Sequence, residues 1–175
     1  MKKDYYKVFI DFLKKHKLYN EEALKYLYAN GIFFDFSEEE YHCFIGCYYI
    51  FKNNKLQKIQ IIAPYIKNEE TLLINIHEFT HGLLLYRHLN KKVTIGKDSE
   101  VLPMLYERVY LKENHTETAK VFIDKLNNNI TPASKIDYII ALNIQEQMLT
   151  HQAKEDNPIK LEKTAKKLVK KYKPK

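Results

Sequence analysis

The sequence predicts a predominantly helical α+β fold, in which one small antiparallel hairpin packs against a central apolar helix and further helices follow. Three observations carry this expectation. Apolar residues recur at helical spacing before residue 30 and again through most of the chain beyond residue 70. Residues 41–63 are rich in Tyr, Ile and Phe on either side of Lys52-Asn53-Asn54-Lys55, which reads as a hairpin turn. A length of 175 residues, with 45% hydrophobic and 29% charged residues, is enough for one domain with a real core and excludes wholesale disorder.

Each element has a local reason. Tyr5, Val8, Phe9, Phe12 and Leu13 sit at helical spacing, so a helix is expected over residues 4–18. A second should begin at Asn20, whose side chain can cap Glu21-Glu22, and run to Ala29 with Asn30-Gly31 as its stop. Ile32–Phe36 reads as a short strand, and Tyr41–Phe51 with Leu56–Ala63 as the hairpin, ended by Pro64. Cys43 and Cys47, four apart on a strand, would stand about 13 Å apart, too far for a disulfide. They read as reduced thiols on one sheet face.

From Thr71 the period becomes helical, to about Leu89. Ser99–Lys112 follows, with Pro103 in its first turns where the missing N–H does no harm. Glu117–Asn127, Ser134–Lys154 and Ile159–Tyr172 complete a helical second half, broken at Thr131-Pro132 and Asn157-Pro158. No linker or repeat divides the chain, so residues 1–175 are expected to form a single domain. Asp11 interrupts the apolar stretch Val8–Leu13, and no apolar run approaches the roughly 20 residues that cross a bilayer. A soluble, cytoplasmic protein without a membrane span is the expectation.

The charge of +7 is concentrated. Residues 159–175 hold eight of the 29 basic residues and one of the 22 acidic ones, leaving 21 of each elsewhere. A neutral body with a basic tail argues against nucleic acid as the partner. The tail places Leu161, Ala165, Leu168 and Tyr172 on one stripe, as expected of a docked amphipathic helix with solvated lysines.

The chemistry lies in His77-Glu78-Phe79-Thr80-His81. Histidines four apart on a helix leave one face a turn apart, the spacing for two nitrogens to reach one Zn²⁺. Glu78 points off that line, beside the open coordination position. It can take a proton from a water on the zinc and deliver it to a leaving amine, which makes the motif a peptide-hydrolysis signature. A third ligand must come from elsewhere. Leu84 and Arg87 stand where a longer His-Glu-x-x-His-x-x-Gly-x-x-His pattern would need Gly and His, and His88 is about 10.5 Å along the axis from His81. Glu100 and Glu107 are the better candidates: they stand two turns apart among apolar neighbours. One of these carboxylates can bind the metal while the other holds a histidine ligand.

His77-Glu78-Phe79-Thr80-His81 followed by Glu100 and Glu107 resembles the gluzincin metallopeptidases, in particular the thimet oligopeptidase and oligopeptidase F family. The resemblance covers roughly residues 58–110. It implies a metal-site core over about residues 41–115, with the hairpin packed against a zincin-like active-site helix. It also implies zinc held by His77, His81 and Glu100, Glu78 as general base and acid, and Glu107 in support. Glu107 stays an alternative to Glu100 on the metal. The resemblance also makes residues 44–51 the sheet edge, with Leu56–Ala63 inside it. Pro103-Met104 replaces the family's residues after the ligand glutamate, and its C-terminal His/Tyr-rich segment has no counterpart here. Tyr106, Tyr110, His115, Tyr138 and His151 are therefore all open as oxyanion donors. The expected function is a zinc-dependent metallopeptidase acting on a peptide or protein. The alternative is a catalytically weak or inactive metal-binding protein with a regulatory role.

Overall fold

Asp4 opens the first helix, α1 (Tyr5–Lys15), by accepting a hydrogen bond from the Lys7 backbone N–H at 3.0 Å. Lys14 and Lys15 occupy its last turn, where cations suit the helix dipole. Phe9, Phe12 and Leu13 are buried, as their spacing predicts. Asn20 caps α2 (Glu21–Asn30) by accepting from the Ala23 N–H at 2.9 Å. The computed structural model describes residues 4–35, 44–95, 100–114, 117, 120, 121 and 135–172. These form two compact units, Met1–Gly96 and Lys97–Lys175, and the fold is predominantly helical α+β.

The first unit holds the sheet. β1 (Ile32–Phe34), β2 (Gly46–Lys52) and β3 (Lys55–Pro64) lie in the order β1-β3-β2. β2 and β3 form the expected antiparallel hairpin. Asn53 and Asn54 turn the corner with φ of 52° and 59°. Two left-handed residues match the twist of the flanking strands, and Asn tolerates that region better than most side chains. Among the described strands, β3 is inside and β2 is an edge. β1 joins β3 in parallel, which makes the sheet mixed. β2 begins at Gly46, later than its β-rich composition suggests; Cys43 and the rest of residues 36–43 lie outside the described residues.

Leu56, Ile59, Ile61 and Ala63 are fully buried on one side of β3, and both α2 and α3 (Glu69–Tyr86) pack against this strand. A register irregularity between Ile50 and Phe51 leaves Gln57 as the extra residue of β3. Beside it, the Tyr26 hydroxyl accepts from the Ile59 N–H at 3.2 Å, and the Gln60 amide donates to the Asn30 carbonyl at 2.9 Å. α3 ends three residues before Leu89, because the chain turns back onto the hairpin. Asn90 adopts φ 63°, its N–H donates to the Leu56 carbonyl at 2.7 Å, and Lys92 bridges Lys55.

Gly82 sits where α3 crosses α2 and β3. A Cβ there would lie 2.9 Å from both Leu27 methyls and 3.1 Å from the Ile61 Cδ1. Leu27 and Ile61 are fully buried, so neither has open space to move into. Gly82→Val should therefore destabilise the protein by about 1–3 kcal/mol, read as a lower midpoint of chemical unfolding at unchanged slope.

In the second unit, α4 (Val101–Asn114) takes Pro103 as its third residue, as the sequence anticipates. α5 (Lys135–Lys154) and α6 (Pro158–Tyr172) pack on α4 and on each other. Most of the helix expected over 117–127 falls outside the described residues; Glu117, Lys120 and Val121 are helical. Asn157 starts α6 by accepting from the Ile159 N–H at 3.0 Å. Leu161 and Ala165 are buried, and the Tyr172 hydroxyl meets the Gln147 amide, so the basic tail helix docks by its apolar stripe. Among the described residues, no helix is long and apolar enough to cross a membrane.

Candidate metal centre

α3 starts with a capping box. The Asn68 side chain accepts from the Thr71 N–H at 2.9 Å, and the Thr71 hydroxyl accepts from the Asn68 N–H at 3.1 Å. Glu69 and Glu70 occupy the first turn, at the positive end of the helix dipole. Beyond the cap the helix is apolar on almost every side, and Leu72, Leu73, Ile74, Ile76, Phe79 and Leu83 are buried. Such a helix belongs inside a core rather than on its surface.

From Thr71 to Leu83 only His77 and His81 are half-buried; every other residue is buried. The two imidazoles share one face. Their centroids are 5.0 Å apart, their planes are inclined by 65°, and their ligand nitrogens lie within 4.8 Å of one another. Two nitrogens bound at 2.0–2.1 Å to one tetrahedral ion stand about 3.3 Å apart, inside that bound. Glu78, 9% exposed, follows His77 directly.

Three contacts fix how this face is presented. Phe79 packs into an aromatic cluster, with ring centroids 5.3 Å from Phe9, 5.0 Å from Tyr28 and 6.3 Å from Phe33. The buried Thr80 hydroxyl donates to the Ile76 carbonyl at 2.6 Å, which satisfies it within the helix. Asn75 donates to the Pro64 carbonyl at 2.9 Å and to the Thr71 carbonyl at 2.7 Å, tying α3 to the end of β3 two residues before His77. Sequence reasoning missed Asn75. Its signal was available: it is the one amide in the apolar run Leu72–Ile76, where a buried polar group needs partners.

His88 stands apart from this face, in the turn after α3, where its Nε2 accepts from the Arg87 Nε at 3.1 Å. Partial burial lowers the Arg87 guanidinium from its ordinary value.

In the second unit, Glu100 is exposed directly ahead of α4, and its carbonyl accepts from the Met104 N–H at 3.2 Å. Glu107 is 7% exposed on the helix itself, among the buried Leu105, Tyr106, Val109 and Tyr110. The two carboxylates expected on a shared apolar face thus differ sharply in burial. Of the proposed oxyanion donors, Tyr106 and Tyr110 are buried and His151 is exposed on α5. Burial, with Asp156 nearby, pushes ionisation of the Tyr106 hydroxyl well above its usual range and keeps it a proton donor. His115 and the Tyr138 side chain lie outside the described residues.

No protein-family model, curated protein or solved structure matches this chain.

Proposed function

We propose that this protein is a zinc-dependent metallopeptidase, with His77, His81 and Glu100 as the metal ligands and Glu78 as general base and acid. The observation that carries the reading is the half-buried His77–His81 pair in the otherwise buried stretch Thr71–Leu83 of α3, with the Glu78 carboxyl one residue from His77. Two imidazoles and a carboxylate, each offering one ligand atom, suit Zn²⁺ and leave a fourth position for substrate chemistry. The bound ion would supply Lewis acidity to polarise a scissile carbonyl.

Glu78 takes a proton from the attacking water and later gives it to the leaving amine. Glu107, a buried carboxyl that must be hydrogen-bonded, supports a ligand in this reading. β2, the edge among the described strands, offers backbone groups to an extended peptide, which gives affinity with little sequence preference. A cytoplasmic location belongs to this reading.

Metal analysis tests the ligand set. The purified protein should carry close to one zinc, and His77→Ala, His81→Ala or Glu100→Gln should each lose it on dialysis. Glu107→Gln should weaken zinc by about 10–100-fold without abolishing it. Loss with Glu107→Gln and retention with Glu100→Gln would exchange the two roles. A protein that holds no zinc at all ends the proposal.

A further inference from the structure

The outer face of the sheet, opposite α2 and α3, carries a row of lysines that a neutral body charge conceals. Lys52 pairs with Lys55 across the hairpin, and Lys55 bridges Lys92 in the segment after α3. Positions directly opposite on neighbouring strands present side chains on the same face, about 4.5–5.5 Å apart at Cβ. Leu56 is buried on the inner side, so Lys55 and its two partners face outward. The next row toward the sheet centre pairs Ile50 with Lys58, and the one after it pairs Tyr48 with Gln60.

All three lysines of the first row are exposed. Like charges directly opposite one another repel, so this arrangement costs stability unless an anion joins it. Among the described residues, no acidic residue occupies a paired position in these rows. Beside the lysines, Tyr48 is 46% exposed and Ile50 59% exposed, and the Tyr48 hydroxyl donates to the Phe44 carbonyl at 3.1 Å. That bond anchors the rim of the ring. A row of three exposed lysines, with Lys58 in the next row and an open aromatic side chain beyond it, matches a chain of phosphates with bases free to stack.

We propose that this outer face, from Lys52, Lys55, Lys58 and Lys92 to Tyr48, binds single-stranded nucleic acid. The lysines contact successive phosphates and the Tyr48 ring stacks on a base. Duplexes fit less well, because their bases are already stacked on each other. This surface uses neither His77 nor His81, so it stands or falls independently of the metallopeptidase reading.

The test uses the full chain and a fluorescein-labelled oligothymidylate of about 20 nucleotides, longer than the roughly 4–16 nucleotides such platforms occupy. Binding is read by anisotropy across a salt series. The triple variant Lys52→Gln/Lys55→Gln/Lys92→Gln should weaken binding at least tenfold at about 0.1 M salt and reduce the salt slope by about 2. Tyr48→Ala should weaken it by about tenfold with the slope unchanged. Lys167→Gln/Lys170→Gln/Lys171→Gln, on the exposed side of α6, should leave both quantities unaltered. Unfolding curves confirm that each variant is folded. The proposal is overturned if the wild type does not bind, if the loss follows the α6 variant instead, or if a duplex binds equally well and Tyr48→Ala has no effect.

Discussion

Glu78→Gln should reduce peptide hydrolysis by about 10²–10⁴-fold, the usual contribution of a positioned acid–base group, while zinc stays bound. The substitution preserves the shape of the side chain but removes its capacity to accept a proton. Glu78 is 9% exposed, and Phe79 and Thr80 after it are fully buried, so a shorter side chain would add a cavity to the chemical loss. Gln avoids that second effect. The assay is turnover of a mixed peptide library by zinc-loaded protein, with metal content measured on the same sample. Retained zinc with lost turnover assigns the proton transfer to Glu78. Wild-type protein that keeps its zinc and leaves the library intact would instead mark a metal-binding module, and the peptidase proposal would fail.

Phe79→Ala should have the largest effect on stability, about 3–5 kcal/mol, as expected for emptying a buried phenyl site. Phe79 is fully buried, and its ring meets Phe9 from α1, Tyr28 from α2 and Phe33 from β1. Three elements therefore converge on a residue lying between the two histidines in sequence. Aromatic pairs contribute about 0.5–1.5 kcal/mol each beyond burial, so Phe79→Leu should recover much of the loss but not all of it. Calorimetry should show Phe79→Ala lowering Tm by roughly 15–25 °C for a unit of about 100 residues. A change of only a degree or two would mean that the aromatic cluster does not hold α3 in place.

The motif was legible because its information is local. His77 and His81 share a face through the 3.6-residue period alone, and Asn20, Asn157 and the Asn53-Asn54 turn act within three or four residues of themselves. The apolar character of Leu72–Ile76 also announced a buried helix. Glu100 and Glu107 were legible as a pair at helical spacing, but spacing is silent on depth: one is exposed and the other buried. The end of α3 at Tyr86 departs from the helical pattern for a similar reason. Leu89 continues the helical pattern, but backbone bonds from Leu56, far away in sequence, hold the chain out of the helix there.

By itself, the sequence determined the described helices, the Asn20 cap, the hairpin, and the two imidazoles with a carboxyl on one short stretch of α3. Only the tertiary structure decided that Ile32–Phe34 would lie parallel to residues 62–64, that Asn75 would tie α3 to Pro64, and that Lys52, Lys55 and Lys92 would stand in one row. The physical reason is range. Helix periodicity, capping and tight turns are settled between residues a few positions apart, whereas strand order and cross-strand neighbours depend on which distant segments bury each other's apolar faces.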